Sequence, residues 1–158
     1  MGALLAAELT AWLAHRAAPL PALLALSGRG APTAVSAQVR TRVVAATDDQ
    51  VLATVPELSA VDDPELRAVL ASTLRADLEL CARHEPSPDL LTVPLPALAG
   101  QDDPVAPPAE VARWAHRTTG PFRAKVLPGG HDFPYRQAAS VAALVTRHPA
   151  LQPFVDGR

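Results

Sequence analysis

Apolar residues in this chain fall into two kinds of pattern that alternate along its length. Leu5, Leu9, Trp12 and Leu13 stand at i, i+4, i+7 and i+8, with Leu4 widening the stripe, which predicts a helix over residues 3–16. Alanine fills most of its other positions, so the helix is apolar nearly all round, as buried helices are. Pro21 to Ser27 is a short apolar run closed by Ser27-Gly28-Arg29-Gly30-Ala31-Pro32, read as a buried strand and a loop. Residues 31–46 show no clear period. Thr47 and Gln50 form a capping box for a short helix ending near Pro56. Asp63-Pro64-Glu65 is a stronger start signal: a capping carboxylate, a proline in the first turn and an acid at the positive helix end. Leu66, Leu70, Thr73, Leu74, Asp77, Leu78 and Cys81 then keep helical spacing until Pro86 and Pro88 forbid continuation.

The second half repeats the alternation. Pro94 to Ala99 reads as a strand, with Pro94 and Pro96 expected at its beginning, because proline is awkward in a central strand. A helix from Pro107 or Pro108 carries Val111, Trp114 and Ala115 on one face. Phe122 to Leu127 is a third strand, and a last helix spans about Arg136–Arg147, with Val141, Leu144 and Val145 inward. Strands alternating with helices predict an α/β fold of about three parallel strands with flanking helices.

Composition narrows the function more than the fold. The 158 residues suit one domain, 1–158. With 19% charged residues and a net charge of -2, nothing favours DNA, RNA or an anionic membrane. The 14 basic residues include one lysine and form no cluster. Cys81 is the single cysteine, which excludes an intrachain disulfide and a thiolate metal cage. Its place on an apolar helix stripe marks it as a packed thiol. No run is long enough to span a bilayer and no secretory signal opens the chain, so a cytoplasmic location is expected. His15, His84 and His116 lie toward helix C-termini, His148 precedes Pro149, and no His-x-x-x-His pair exists; neither a metal nor a cofactor is expected.

The chemistry concentrates at two strand tips. Gly100-Gln101-Asp102-Asp103-Pro104 follows the second strand, and Leu127-Pro128-Gly129-Gly130-His131-Asp132-Phe133 follows the third. Sites in parallel α/β sheets form beyond the carboxyl ends of the strands. A carboxylate there can hold an imidazole in one tautomer, and the imidazole can move a proton between a nucleophile and a leaving group. Acid before histidine is the chain order of an α/β-hydrolase triad. The nucleophile of that triad sits in Gly-x-Ser-x-Gly, which this sequence lacks. Ser27 follows a strand, but Ala25 stands two positions ahead of it where the elbow needs glycine, so it is read as a loop-start residue.

Together these blocks resemble the type II thioesterases, separate α/β-hydrolases that accompany polyketide and nonribosomal peptide synthases. The likeness runs through Met1-Gly-Ala-Leu-Leu-Ala, Ser27-Gly-Arg-Gly-Ala-Pro32, Asp63-Pro-Glu-Leu66, Leu74-Arg-Ala-Asp77, Gly100-Gln-Asp-Asp-Pro104, Trp114, Thr119-Gly-Pro-Phe122 and Pro128-Gly-Gly-His131. It implies the C-terminal portion of an α/β-hydrolase fold with a helical lid at about 33–90. It implies Asp103, not Asp102, as the catalytic acid and His131 as the base. The implied activity is hydrolysis of acyl groups from the phosphopantetheine arm of an acyl or peptidyl carrier protein. In the family, glycine, a variable residue and serine precede the Met-Gly that aligns with Met1-Gly2. The resemblance therefore implies a chain that starts just after its nucleophile, with the Met1 nitrogen in the place of an oxyanion-hole donor. Two alternatives stand beside an enzyme copied incompletely: a non-catalytic relic or carrier-docking fragment, and a small α/β domain unrelated to hydrolases.

Overall fold

The computed structural model describes residues 1–32, 41, 43–55, 58 and 60–151. The expected helix end near Pro56 lies outside the described residues, as do residues 33–40, 42, 57 and 59 of the segment at about 33–90. In chain order the elements are α1 (Gly2–His15), β1 (Leu26–Ser27), α2 (Asp48–Leu52), α3 (Pro64–Arg83), β2 (Leu95–Gly100), α4 (Pro108–Ala112), β3 (Phe122–Leu127), α5 (Phe133–Arg136) and α6 (Ala138–Thr146). A 3-10 turn, Arg113–Arg117, continues α4, and another, Pro149–Leu151, follows α6. They divide into two compact units: Gly2–Pro32 with Ser87–Arg158, and Met1 with Thr33–Pro86.

The first unit is built on a parallel sheet in the order β1-β2-β3. Leu26 pairs with Ala97 and Ser27 with Leu98; β2 and β3 pair over six positions, from Leu95 with Phe122 to Gly100 with Leu127. Every residue of β2 is buried, the mark of a central parallel strand covered on both faces. Its side chains alternate accordingly. Leu95, Ala97 and Ala99 pack in a core with Ala7 and Ala11 of α1, Leu26, Val111 and Trp114. Leu98 points the other way, to Leu127 and Phe133, with Val141 and Leu144 of α6 packed against them. Burying a side chain the size of Leu26 or Leu95 contributes about 1.5–3 kcal/mol.

Several expectations are corrected. In α1 the buried residues are Leu4, Ala7, Thr10 and Ala11, of which Ala7 and Ala11 pack in the core with β2, while Leu5, Leu9 and Trp12 of the expected stripe are exposed. Small side chains let the helix backbone approach the sheet, and the buried Thr10 hydroxyl donates to the Ala6 carbonyl at 2.8 Å. The run Pro21–Ser27 forms a strand only at its last two residues. The reason lies at the entry of β2, where Pro96 is its second residue and Pro94 immediately precedes it. Leu95 N–H donates to Pro121 on the β3 side, whereas Pro94 and Leu98 carbonyls accept from Leu24 and Gly28 on the β1 side. Backbone groups alternate in direction, so Pro94 and Pro96 withhold two donors from the β1 ladder. Trp114 stays buried but Ala115 is exposed, because the 3-10 turn keeps i+3 and loses i+4. The last helix forms about where it is expected, as α6, and a separate one-turn helix, α5, precedes it across Gln137 (φ -109°, ψ 29°).

The second unit is helical in its described residues. Thr47 Oγ1 accepts from Gln50 N–H at 3.3 Å and Gln50 Oε1 accepts from Thr47 N–H at 2.9 Å, the reciprocal cap expected of α2. Asp63 Oδ1 accepts from Leu66 N–H at 2.8 Å and starts α3. Arg67 and Arg75 of α3 reach Asp49 and Asp48 of α2 at 2.5 and 2.7 Å. Arg75 also donates to the Ala46 carbonyl at 2.6 Å, tying the two helices through backbone as well as charge. Met1 Sδ and Cys81 Sγ lie 4.0 Å apart in this unit. Among the described residues no helix is long and apolar enough to cross a membrane.

Candidate active site

The adjacent carboxyl ends of β2 and β3 deliver two loops to one place. Gln101 N–H donates to the Leu127 carbonyl at 2.8 Å and Asp102 N–H to the Gly129 carbonyl at 3.0 Å, continuing the ladder past both strands. Gly100 permits the approach. A Cβ there would stand 2.4 Å from the Gly130 carbonyl oxygen and 2.6 Å from that of Gly129. The histidine loop turns at Gly129, whose φ of +112° suits glycine. It is pinned by Phe133, fully buried, whose N–H donates to the Gly130 carbonyl at 3.1 Å.

Within this junction the two neighbouring aspartates part. Asp102 is exposed, while the Asp103 side chain is wholly buried. Asp103 Oδ1 accepts from Val105 N–H at 2.8 Å and from Ala106 N–H at 3.0 Å. Its Oδ2 lies 2.9 Å from Nδ1 of His131. Both oxygens are thus engaged, one by backbone that fixes the carboxylate and one by the imidazole. A carboxylate only accepts, so Nδ1 carries the proton of a neutral ring and Nε2 keeps its lone pair on the side away from Asp103. The ring remains one-third exposed, so Nε2 can serve a reacting group. Such a dyad can take a proton at Nε2 and give it back, with Asp103 stabilising the imidazolium between the two events.

The other histidines take part in different structure. His15 Nε2 lies 2.5 Å from Asp89 Oδ2 at an exposed site, and Ala150 N–H donates to Nδ1 of His148 at 3.2 Å. Met1, expected as an oxyanion-hole donor, groups with the helical unit. Among the described residues no three of His, Cys, Asp or Glu gather as a metal site. The sequence reading missed Gly100 and Gly28, whose Cα faces the His131 ring. The signal available was a glycine at the C-terminal end of each of two strands.

Three parallel strands with flanking helices, carrying a buried carboxylate on a histidine at neighbouring strand ends, match the architecture of the α/β-hydrolase fold. The family model for the thioesterase domain matches residues 1–149, and the chain belongs to that family. It is 38% identical over 141 residues to thioesterase PikA5 of Streptomyces venezuelae, covering 84% of this chain and 48% of that protein. It is 35% identical over 139 residues to the probable cadicidin biosynthesis thioesterase of Streptomyces griseus, covering 84% of this chain and 37% of that protein. The chain thus spans between about a third and a half of the length of these curated relatives. Among solved structures it is similar to RedJ, the thioesterase of the prodiginine pathway in Streptomyces coelicolor. The TM-score is 0.72 at 33% identity, over 93% of this chain and 60% of that one.

Proposed function

We propose that this chain provides the acid and base of a thioesterase that hydrolyses acyl groups from the phosphopantetheine arm of an acyl or peptidyl carrier protein. The observation that carries the reading is the 2.9 Å approach of the buried Asp103 carboxylate to His131 Nδ1, at the carboxyl ends of paired strands. In the proposed reaction Nε2 of His131 accepts the proton of a serine hydroxyl as its oxygen attacks the thioester carbonyl. The tetrahedral intermediate collapses, the carbon–sulfur bond breaks, and the departing thiolate takes the proton from Nε2. Water repeats the sequence on the acyl-serine and releases the acid. Asp103 orients the ring throughout and balances its charge.

By the family's pattern the serine precedes the Met-Gly that aligns with Met1–Gly2, the Met1 nitrogen corresponds to an oxyanion-hole donor, and the helical segment at about 33–90 corresponds to the lid. A second reading is a non-catalytic piece that docks to the carrier. One experiment separates them. The upstream half of a type II thioesterase, ending in Gly-x-Ser, is joined to Met1 and assayed on an acylated carrier. Turnover is expected in the chimera, unaltered within about threefold in Asp102→Asn and lowered by about 10³–10⁴ in Asp103→Asn or His131→Ala. A folded chimera that binds the carrier without turnover would support the second reading. Turnover indifferent to His131→Ala would sink the first.

A further inference from the structure

We infer that Gly28 is a positioning residue for His131: the bare Cα at the end of β1 is the seat against which the imidazole rests. The inference builds on the Asp103–His131 reading and adds a third element to that pair. A Cβ placed on Gly28 would stand 3.3 Å from Cε1 of His131, 3.7 Å from Nδ1 and 3.9 Å from Nε2. The atoms approached are the two nitrogens and the carbon between them, the part of the ring that works. The φ of Gly28 is +61°, so an L side chain is disfavoured there by the backbone too.

Which partner would yield to a Cβ is decided by what holds each. The loop after β1 is fastened at three points. Gly28 N–H donates to the Leu98 carbonyl at 3.1 Å, and Ala31 N–H to the Glu110 carbonyl at 3.2 Å. The indole N–H of Trp114, a side chain buried in the core, donates to the Arg29 carbonyl at 2.8 Å. His131, by contrast, is one-third exposed, and among the described residues its ring is bound at Nδ1 by Asp103. The ring gives way first, and a few tenths of an ångström take its 2.9 Å hydrogen bond with Asp103 beyond the usual range. Ser27-Gly28-Arg29-Gly30 thereby acquires a physical account. Gly28 faces the histidine, the Arg29 carbonyl meets Trp114, and a Cβ at Gly30 would meet Glu110 Cβ at 3.1 Å.

The test reads the tautomer of the neutral His131 ring in the 158-residue chain by long-range proton–nitrogen correlation spectra, which need no turnover. The native ring is expected as the Nδ1–H form. Gly28→Ala should raise the share of the Nε2–H form roughly three- to tenfold, the effect of removing an ordinary hydrogen bond, as Asp103→Asn does. Gly30→Ala strains the same loop away from the histidine and should leave the tautomer native. Gly28→Asn, better tolerated at positive φ, carries the same Cβ if the alanine variant does not fold. If Asp103→Asn leaves the tautomer unchanged, the acid–base pairing itself fails. If Asp103→Asn alters it and the folded Gly28 variant does not, or if Gly30→Ala alters it equally, only the role of Gly28 is overturned.

Discussion

Asp89 makes a second carboxylate–histidine pair, and its setting differs from that of Asp103 in every respect that matters. Its Oδ2 meets His15 Nε2 and accepts from the Ser87 hydroxyl at 2.9 Å, with the His15 side chain exposed and that of Asp89 half-buried. The hydrogen bond from His15, and after it that from Ser87, holds the Asp89 carboxyl below its ordinary value of 3.8. A carboxyl depressed in the folded state contributes stability above its unfolded pKa and loses it as pH falls through the folded one. The tie between the end of α1 and the segment before β2 is therefore intact at neutral pH and released only in acid below the ordinary carboxylate range. In His15→Ala the Asp89 midpoint should rise toward 3.8, read by carboxyl carbon NMR; an unchanged midpoint would mean that the pair does not form in solution. The same residue scale shows what sequence could say about the site. Strand-end placement pointed to both Asp102 and Asp103, and only the family's spacing chose between them. The physical difference is two backbone N–H groups, those of Val105 and Ala106, aimed at one side chain. Those contacts are local, two and three residues on, but residue type alone does not tell which of two adjacent aspartates makes them. Gly28 was harder still, because its significance lies in a ring about a hundred residues away.

At the scale of elements, the junction of β2 with the histidine loop is a backbone approach with no room for a side chain. Gly100→Ala would drive a Cβ into the carbonyls of Gly129 and Gly130, neither of which can rotate away as a flexible side chain could. The expected cost is about 1–3 kcal/mol or more, and the hydrogen bond between Asp103 and His131 should break as the two loops separate. Urea unfolding of this variant measures the first effect and the His131 tautomer the second; a variant as stable as the native chain would show that the loops stand farther apart. Elements were legible where propensity and partner agreed. Phe122–Leu127 is the strand that its branched and aromatic residues suggest, and the caps at Thr47 and Asp63 form as written. They were illegible where a neighbour decided. The length of β1 is set by prolines on another strand, and the buried face of α1 by how closely a helix can approach the sheet. An all-apolar helix gives no contrast from which to choose a face, and size favoured the large residues wrongly.

For the whole molecule, that wrongly chosen face has a consequence. Leu5, Leu9 and Trp12 are 54%, 55% and 48% exposed, aligned at i, i+4 and i+7 along α1. Arg16 covers part of this stripe, its guanidinium carbon 3.9 Å from the Trp12 ring centre, while both leucines stay open to solvent. Among the described residues no strand pairs with the outer edge of β3, where Arg123, Ala124, Lys125 and Val126 are exposed, though its two cations oppose edge pairing. A leucine stripe on a helix is an associating surface, whereas a charged edge is a protected one. The 158-residue chain should therefore sediment as a mixture of oligomers at tens of micromolar. Leu5→Lys with Leu9→Lys should shift it toward monomer. Because neither leucine is buried, the thermal midpoint should stay close to native, as surface substitutions usually cost under about 0.5 kcal/mol each. A single sharp monomer boundary for the native chain would show that α1 is covered in solution. A collapse of the midpoint in the lysine variant would place both leucines in the core, and with them the face of α1 that meets the sheet.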